Sequence, residues 1–137
     1  MKILFMCVAN SARSQLAEGL AKQILGPSVW VESAGSNPSK INPLAIAVLK
    51  EVEIDITKNY SKNVSDLSPQ FMADLDYVIT LCAEEVCPLL VSKGKKLHWP
   101  LPDPAGQTQL TYKEQLSRFR ETRVALREKI TDFRKSL

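Results

Sequence analysis

Short apolar runs alternate with amphipathic stretches along this chain. Apolar residues are nearly continuous over Lys2–Cys7, which is the pattern of a strand buried on both faces of a parallel sheet. Apolar residues then recur at helical spacing from Leu16 to Leu25, and Gly26-Pro27 is a normal helix stop signal. These two segments predict a strand followed by an amphipathic helix.

Further strands and helices follow in the same alternation. Strands are predicted over three more apolar runs, Val29–Glu32, Asp76–Leu81 and Lys96–Trp99, with a loop over Ala34–Pro38. Helices are predicted from Asn42-Pro43 to about Val52, over Gln70–Leu75 after Ser68-Pro69, and over roughly the last 26 residues. Strands that alternate with helices favour a small doubly wound α/β fold, in which a four-stranded parallel sheet carries helices on both faces.

The composition is that of one globular domain. With 137 residues, of which 45% are apolar and 24% charged, the chain suits a single domain over residues 1–137 and not a disordered protein. The longest apolar run, Ile3–Ala9, is far shorter than the roughly 20 residues that span a bilayer. We therefore expect a cytoplasmic protein with no membrane partner, and a monomer because no exposed apolar stripe is evident.

Basic residues are concentrated near the C terminus. From Tyr112 onward the chain has eight basic and four acidic residues, whereas the net charge of the whole chain is only +3. Charges of alternating sign along a helix are typical of a solvated face, and no aromatic platform for bases is interleaved with them. We therefore expect no nucleic-acid partner.

Four conspicuous side chains are given structural interpretations. Trp30 and Trp99 are predicted to belong to the core, and His98 is interpreted as a packed or capping residue. Arg123 interrupts the apolar stripe of the last helix, so we expect it to pair with a carboxylate or to bury only its stem.

Cysteine is the informative residue type. Three cysteines in a reducing compartment do not form a disulfide framework, and one histidine without a C-x2-C pair is a poor set of zinc ligands. We expect no metal and no organic cofactor, so the thiols are either small core residues or reactive sulfurs. Cys7, Cys82 and the loop that holds Asp103 all fall at the carboxyl end of a predicted strand, and ligands of parallel sheets bind at that edge.

The segment after the first strand suits an oxyanion-binding loop. Its backbone N–H groups and the positive end of the next helix dipole can surround a tetrahedral oxyanion. Arg13 can bind two oxygens of that anion, and Cys7 in the same positive field is the candidate nucleophile. Ser14 can donate its hydroxyl to the sulfur, and Asn10 tolerates left-handed backbone angles and can hold the shape of the loop. The loop comprises Val8, Ala9, Asn10, Ser11, Ala12, Arg13 and Ser14.

Several segments resemble a known superfamily. The run Cys7-Val-Ala-Asn-Ser-Ala-Arg-Ser-Gln-Leu-Ala-Glu-Gly19 is similar to the signature loop of the low-molecular-weight tyrosine phosphatases, and within them to that of the thioredoxin-coupled arsenate reductases. The likeness spans nearly the whole chain. It continues through Ser33-Ala-Gly35, Asn42-Pro43, Thr80-Leu-Cys82, Cys87-Pro88, His98-Trp99 and Asp103-Pro-Ala-Gly106.

The resemblance implies that arsenate is reduced to arsenite by a relay of three cysteines, in an enzyme of arsenical resistance and detoxification. Cys7 would attack arsenic while Asp103 helps a hydroxyl leave as water, and Cys82 would then attack the Cys7 sulfur and release arsenite. Cys87 would attack Cys82 in turn and move the disulfide to the surface, where thioredoxin, or glutaredoxin with glutathione, reduces it. Four residues separate Cys82 from Cys87, fewer than in better-known members.

The resemblance also implies a cation site that this chain has altered. Some relatives bind potassium with residues that match Asn10, Glu18 and Ser33, together with an aspartate at the position of Lys62. Because Lys62 has an ammonium group where these relatives have a carboxylate, one ligand of the cation site is missing here. Lys62 is therefore expected either beside Glu18, in a potassium-insensitive enzyme, or at the surface as an ordinary lysine.

Two other functions stay open at this point. In a phosphotyrosine phosphatase, Cys7 would form the phosphoenzyme and Asp103 would be the general acid, while Cys82 and Cys87 would only protect Cys7. Ala105-Gly106 stand where such phosphatases commonly have aromatic residues, which favours a small inorganic oxyanion. The remaining alternative is a non-catalytic oxyanion-binding redox sensor.

Overall fold

The computed structural model describes residues 1–83, 90, 92–106 and 109–137. Its strands are β1 (Lys2–Cys7), β2 (Trp30–Gly35), β3 (Tyr77–Thr80) and β4 (Lys95–His98). Its helices are α1 (Arg13–Leu25), α2 (Pro43–Lys50), α3 (Pro69–Ala73) and α4 (Tyr112–Ser136), and a short 3-10 helix spans Val64–Asp66. Each predicted strand and helix is present, with ends that differ by a few residues.

The four strands form one parallel sheet in the order β2-β1-β3-β4. The central strand β1 pairs with β2 up to Cys7 beside Gly35, and with β3 up to Met6 beside Thr80. The carboxyl ends of these three strands therefore lie side by side. His98, at the end of β4, is exposed and is hydrogen-bonded to Thr80 of the neighbouring strand with 2.7 Å between Nδ1 and Oγ1. The prediction of a packed residue is therefore wrong, because β4 is an edge strand whose last side chain faces solvent. The predicted four-stranded parallel sheet is confirmed.

Helices cover the two faces of the sheet unequally. Successive residues of β1 point to opposite faces, so that Ile3 and Phe5 join a large core with α1, α2 and α4. Leu4 and Met6 join a smaller core with α3, in which Phe71 is fully buried. The predicted doubly wound arrangement is confirmed, with the larger apolar cluster on one face.

Capping side chains fix the starts of α2 and α3. Asn42 and Ser68 each precede a proline, and each side chain accepts a hydrogen bond from a backbone N–H of the first turn. The predicted starts are confirmed. However, α2 ends at Lys50 and α3 at Ala73, earlier than expected, and the left-handed backbone of Glu53 (φ 64°) turns the chain away soon after α2.

The edge strand β2 is longer than predicted. It continues to Gly35, although a loop was expected from Ala34 onward. Ala34 is fully buried, and Gly35 pairs with Cys7 and donates its N–H to the Lys62 carbonyl at 2.9 Å. A small residue is needed at Gly35 because the backbone of the loop after β1 packs directly against it. A Cβ on Gly35 would lie 2.3 Å from the carbonyl oxygen of Val8.

The two tryptophans lie in different environments. Trp99 is partly buried and packs against Phe133 of α4, as predicted. Trp30 is 41% exposed, so the prediction that it belongs to the core is wrong. It begins the edge strand β2, where its ring contacts Phe71 and the Lys2 ammonium lies 5.4 Å from the ring centroid.

The long helix α4 packs against α1 and α2. Thr111 and Glu114 form a capping box at its start, and its apolar stripe joins the larger core as predicted. Arg123 donates to the Val48 carbonyl and to the Glu51 carboxylate, which confirms the expected ion pair. Among the described residues, no helix combines the length and the apolar character that a membrane crossing requires.

Candidate active site

A cleft of about 140 Å³ opens at the carboxyl end of β1. Cys7 ends β1 and Arg13 begins α1, whereas Asp103 comes from the segment between β4 and α4. The structure therefore brings together the predicted nucleophile, the predicted anion-binding arginine and the predicted acid. The cleft is lined by Cys7, Ala9, Ser11, Ala12, Arg13, Ser39, Asp103 and Ala105.

The carbonyl groups of the loop between β1 and α1 are held from outside. Those of residues 8, 9 and 11 accept hydrogen bonds from the backbone N–H groups of residues 37, 39 and 42, at 2.9, 3.1 and 3.0 Å. That of Asn10 accepts one from the Ser61 hydroxyl at 2.7 Å. In a trans peptide unit the C=O and the following N–H point in opposite directions, and the described residues contain no cis peptide bond. The N–H groups of residues 9–12 therefore point away from these external donors, an orientation that suits oxyanion binding by the loop.

Asn10 has a left-handed backbone with φ 48°, a conformation that asparagine was expected to tolerate. Its fully buried side chain uses both donors and the acceptor of the amide. Nδ2 donates to the hydroxyls of Ser14 and Ser33 at 2.8 and 3.0 Å. Oδ1 accepts from Gln15 Nε2 and from the backbone N–H of Lys62, both at 3.0 Å. These four bonds hold the loop in its strained conformation.

Cys7 carries a free thiol that is 3% exposed. Its Sγ lies 2.9 Å from Oγ of Ser14, the same oxygen to which Asn10 donates. Because the Asn10 NH₂ group can only donate, the Ser14 oxygen is the acceptor of that bond, and its own proton is available for the sulfur. The Ser14 hydroxyl is thus placed to donate to a Cys7 thiolate, as predicted for a supporting residue.

Arg13 is buried and connects three parts of the chain. Its Nη1 donates to the Leu101 carbonyl at 2.9 Å, in the segment that leads to Asp103. The same nitrogen lies 3.5 Å from the Leu81 carbonyl, just after β3. A planar guanidinium fixed in this way lines the cleft in a defined orientation.

Asp103 is half-buried and lines the cleft. Its Oδ1 accepts the Ala105 N–H at 2.9 Å, and its carbonyl accepts the Gly106 N–H at 3.1 Å. These bonds close a tight turn over residues 103–106, which follows Pro102 and contains Pro104, and the two prolines stiffen it. Ala105 lines the cleft, so this part of the wall is small and has no aromatic ring.

Cys82 lies just beyond β3, the strand beside β1. It is disulfide-bonded and 2% exposed. The expectation that its disulfide lies at the surface is therefore wrong for this residue. The reason is that the chain stays inside the core after β3, where Leu81 is fully buried and donates its N–H to the Met6 carbonyl at 3.0 Å. Cys87 lies outside the described residues.

Buried charges lie behind the loop. Glu18 is 2% exposed, and its Oε1 accepts the Ser33 hydroxyl at 2.6 Å and lies 3.6 Å from Lys62 Nζ. Lys62 is 7% exposed and also lies 3.6 Å from the Glu32 carboxylate. The expected place of Lys62 beside Glu18 is confirmed, and the alternative of a surface lysine is wrong. Because an ammonium already faces these carboxylates, the cluster does not suit a potassium ion.

The described residues contain no group of three His, Cys, Asp or Glu side chains arranged as metal ligands.

Four polar residues of the site were missed by the sequence analysis. Ser39 lines the cleft, and Ser61 holds the Asn10 carbonyl. Gln15 and Asn59 are hydrogen-bonded to each other at 3.2 Å behind the loop. Gln15 is fully buried, and its position directly before the apolar residues Leu16 and Ala17 was the signal in the sequence. The other three lie in polar segments, where spacing carries no periodic information.

Known proteins are similar to this chain in sequence and in fold. The chain matches the family described as low molecular weight phosphotyrosine protein phosphatase over residues 2–137. It is 40% identical over 138 residues to arsenate reductase 1 of Staphylococcus haemolyticus, an alignment that covers 98% of this chain and 96% of that protein.

Two solved structures extend the comparison. An arsenate reductase in a phosphate-binding state has a TM-score of 0.79 and 32% identity, over 99% of this chain and 98% of that one. A thioredoxin-dependent arsenate reductase of Corynebacterium glutamicum has a TM-score of 0.70 and 31% identity, over 99% of this chain and 63% of that one.

Proposed function

This chain belongs to the low-molecular-weight phosphotyrosine protein phosphatase family, and on that premise we propose that it reduces arsenate to arsenite. One observation carries the proposal: a single cleft presents Cys7, Arg13 and Asp103 to an oxyanion, and Cys82 lies at the end of the adjacent strand. The relatives named arsenate reductase, one of them thioredoxin-dependent, support arsenate as the substrate and thioredoxin as the reductant.

The first step is attack of the Cys7 thiolate on arsenic. The oxyanion is bound by the N–H groups of residues 9–12 and by the Arg13 guanidinium. A sulfur–arsenic bond forms and an arsenic–oxygen bond breaks, and the leaving hydroxyl takes a proton from the Asp103 carboxyl and departs as water. The Ser14 hydroxyl donates to the sulfur before the attack.

The second step transfers two electrons to arsenic. A Cys82 thiolate attacks the Cys7 sulfur, so that a sulfur–sulfur bond forms and the sulfur–arsenic bond breaks with its electron pair on arsenic. Arsenic passes from As(V) to As(III) and leaves as arsenite, while the two thiols are oxidised to a disulfide. Adjacent strands bring the two cysteines to the same edge of the sheet, and the step requires Cys82 to leave its buried position.

The third step restores the nucleophile. Cys87 attacks the Cys82 sulfur, which releases the Cys7 thiolate and leaves a Cys82–Cys87 disulfide for thioredoxin, or for glutaredoxin with glutathione, to reduce. The free Cys7 thiol together with the disulfide-bonded state of Cys82 supports this order. Because the thiols must be reduced again after each cycle, we expect the protein to work in a reducing compartment, the cytoplasm. We further expect it to act as a monomer of one domain over residues 1–137, with neither a metal nor an organic cofactor.

A phosphatase is the second candidate, because the same cleft and the family match are compatible with it. Cys7 would then form a phosphoenzyme, and Asp103 would protonate the leaving alcohol. The small wall at Ala105 gives an aryl group no aromatic surface to stack on, and this favours the inorganic oxyanion.

Turnover by cysteine variants tests the relay. In an assay with arsenate, thioredoxin, thioredoxin reductase and NADPH, we expect the wild type to oxidise NADPH continuously. Each of Cys7→Ser, Cys82→Ser and Cys87→Ser should lower the sustained rate by about 100-fold or more, because the three sulfurs act as one unit. Cys82→Ser should spare any hydrolysis of an aryl phosphate, which needs only Cys7.

The three functions give different patterns in this experiment. Unchanged arsenate turnover by Cys82→Ser would end the relay proposal. Aryl phosphate hydrolysis that depends on Cys7 alone, without arsenate turnover, would indicate the phosphatase. Phosphate binding without turnover of either substrate would indicate the redox sensor. Circular dichroism of the variants controls for folding.

A further inference from the structure

Ser61 makes an unusual contact with the oxyanion-binding loop. The loop has four successive carbonyls from Val8 to Ser11, and three of them accept hydrogen bonds from backbone N–H groups. Replacing the side chain of a donor residue leaves such a bond in place. The carbonyl of Asn10 is bound by side chains instead. The Ser61 hydroxyl donates to it at 2.7 Å, and Gln15 Nε2 at 3.3 Å. The shorter of these bonds comes from a residue 51 positions away in the sequence.

This bond acts on the peptide plane that carries the next N–H. The Asn10 carbonyl and the Ser11 N–H belong to one rigid plane and point in opposite directions. Asn10 is in the left-handed region, so the plane is not held by ordinary backbone preference. Pulling the carbonyl toward Ser61 therefore turns the Ser11 N–H toward the cleft that Ser11 lines.

The segment around Ser61 is itself fixed on both sides. The Tyr60 carbonyl accepts from Gln15 Nε2 at 3.2 Å. The Lys62 N–H donates to Asn10 Oδ1 at 3.0 Å, and the Lys62 carbonyl accepts from the Gly35 N–H at 2.9 Å. Ser61 is thus presented by backbone that is anchored immediately before and after it, and its hydroxyl has a defined direction.

We propose that Ser61 is a positioning residue for oxyanion binding: its hydrogen bond to the Asn10 carbonyl aims the Ser11 N–H at the bound anion. The inference rests on the proposed function in so far as the cleft binds a tetrahedral oxyanion. It concerns binding alone and involves no electron transfer.

Titration with inorganic phosphate tests the role of Ser61. Isothermal calorimetry on the reduced protein should show that Ser61→Ala binds phosphate about 3- to 10-fold more weakly, the loss expected for one hydrogen bond. Ser61→Thr, which keeps the hydroxyl, should restore the affinity. Ser65→Ala is the matched control, since the exposed Ser65 hydroxyl bonds to the Asn63 side chain at 3.2 Å and not to the loop; it should bind phosphate like the wild type.

Urea unfolding of the same variants separates positioning from stability. The proposal is supported if Ser61→Ala binds phosphate more weakly than the wild type while Ser65→Ala binds it equally well, and if the two variants have similar free energies of unfolding. If Ser61→Ala is too unstable to titrate, Ser61→Cys, whose thiol is a weak donor, gives the same comparison. Wild-type phosphate affinity in the variant that lacks the hydroxyl would overturn the inference, and so would failure of Ser61→Thr to restore it.

The two proposals fail separately. A chain that binds phosphate in a Ser61-dependent way but never reduces arsenate would refute the proposed function and leave this inference standing. An active reductase in which Ser61→Ala binds phosphate normally would refute the inference alone.

Discussion

Single side chains behind the cleft each satisfy several partners at once. Asn10 makes four side-chain hydrogen bonds. Glu18 accepts from Ser33 and from Lys22 and faces the Lys62 ammonium. When a buried polar group loses one partner, the cost is the desolvation of the group left behind. Substitutions at these positions therefore affect the conformation of the loop as well as stability.

Lys62 leads to a prediction about cations. Its ammonium lies 3.6 Å from the carboxylates of both Glu18 and Glu32, so a positive charge already occupies the surroundings that a cation would need. We predict that phosphate and arsenate affinities are the same in potassium and in sodium buffers of equal ionic strength. Calorimetric titration in the two buffers measures this directly.

A rise in affinity that is specific to potassium would contradict this view of Lys62. Choline chloride at the same ionic strength is the control, because it separates specific cation binding from general screening of the anion site.

Residue-scale prediction succeeded where chemistry restricts the choice of side chain. The left-handed backbone of Asn10, the bond between Ser14 and the Cys7 sulfur, and the place of Lys62 beside Glu18 all agree with the sequence analysis. Ser61 could not be predicted, since a serine in a polar segment gives no indication of a partner 51 positions away.

The contact between α2 and α4 depends on one carboxylate. Glu51 directly follows α2 and receives hydrogen bonds from Arg120 and Arg123 of α4. The bonds from Arg120, and after them that from Arg123, lower the pKa of Glu51 to about 2 from its usual 4.5. A negative charge at a helix C terminus is unfavourable, and the two guanidinium groups offset it.

The lowered pKa of Glu51 predicts a pH dependence of stability. Because the folded state favours the ionised carboxylate, its contribution is complete above about pH 4.5 and is lost as the pH falls toward 2. Glu51→Gln should therefore be less stable than the wild type at pH 7, and the difference should shrink between pH 4.5 and pH 2. Urea unfolding at several pH values measures this difference.

Arg120→Met provides the companion variant, since it removes the donor with the largest effect on Glu51. Its loss of stability relative to the wild type should shrink between pH 4.5 and pH 2 in nearly the same way as that of Glu51→Gln. Parallel stability profiles for the wild type and Glu51→Gln across this pH range would show that the ion pair contributes nothing, as many exposed pairs do.

Elements were easier to predict than their ends. Apolar periodicity identified the four strands and the long helix, because burial on the sheet imposes it. The end of β2 was missed, since Ala34 and Gly35 resemble loop residues in sequence but are selected here by close packing. Trp30 was misplaced because apolar character alone does not distinguish a central strand from an edge strand.

At the scale of the whole molecule, Gly35 is where the sheet, the segment around Lys62 and the oxyanion-binding loop meet. It pairs with Cys7, bonds to Lys62 and approaches the Val8 carbonyl. The four-stranded sheet could be predicted from the sequence. This meeting point could not, because it joins segments that are distant in sequence and carry no shared pattern.

Two glycine variants test the meeting point at Gly35. A Cβ on Gly35 would lie 2.3 Å from the Val8 oxygen, and a Cβ on Gly94, before β4, would lie 2.8 Å from the Leu75 oxygen. We expect Gly35→Ala and Gly94→Ala each to lose about 1–3 kcal/mol of stability through overpacking. Gly35→Ala should also weaken phosphate binding by about 10-fold or more, as a displaced oxyanion-binding N–H would.

Gly94→Ala serves as the control, because the residue lies at the opposite end of the sheet from the cleft. Its phosphate affinity should equal that of the wild type. Equal affinities for all three proteins, measured by calorimetry alongside urea unfolding, would show that the loop does not depend on its contact with Gly35.

Main-chain atoms of residues 37, 39 and 42 bind three of the four loop carbonyls, and main-chain atoms are common to nearly every amino acid. For these three bonds the segment is therefore constrained in its spacing more than in its identity, although the Asn42 side chain is also needed to cap α2. A lost or added residue within the segment would change the spacing of the donors, so that they could no longer all reach their carbonyls. Divergence along this stretch is accordingly expected through replacement and not through insertion or deletion.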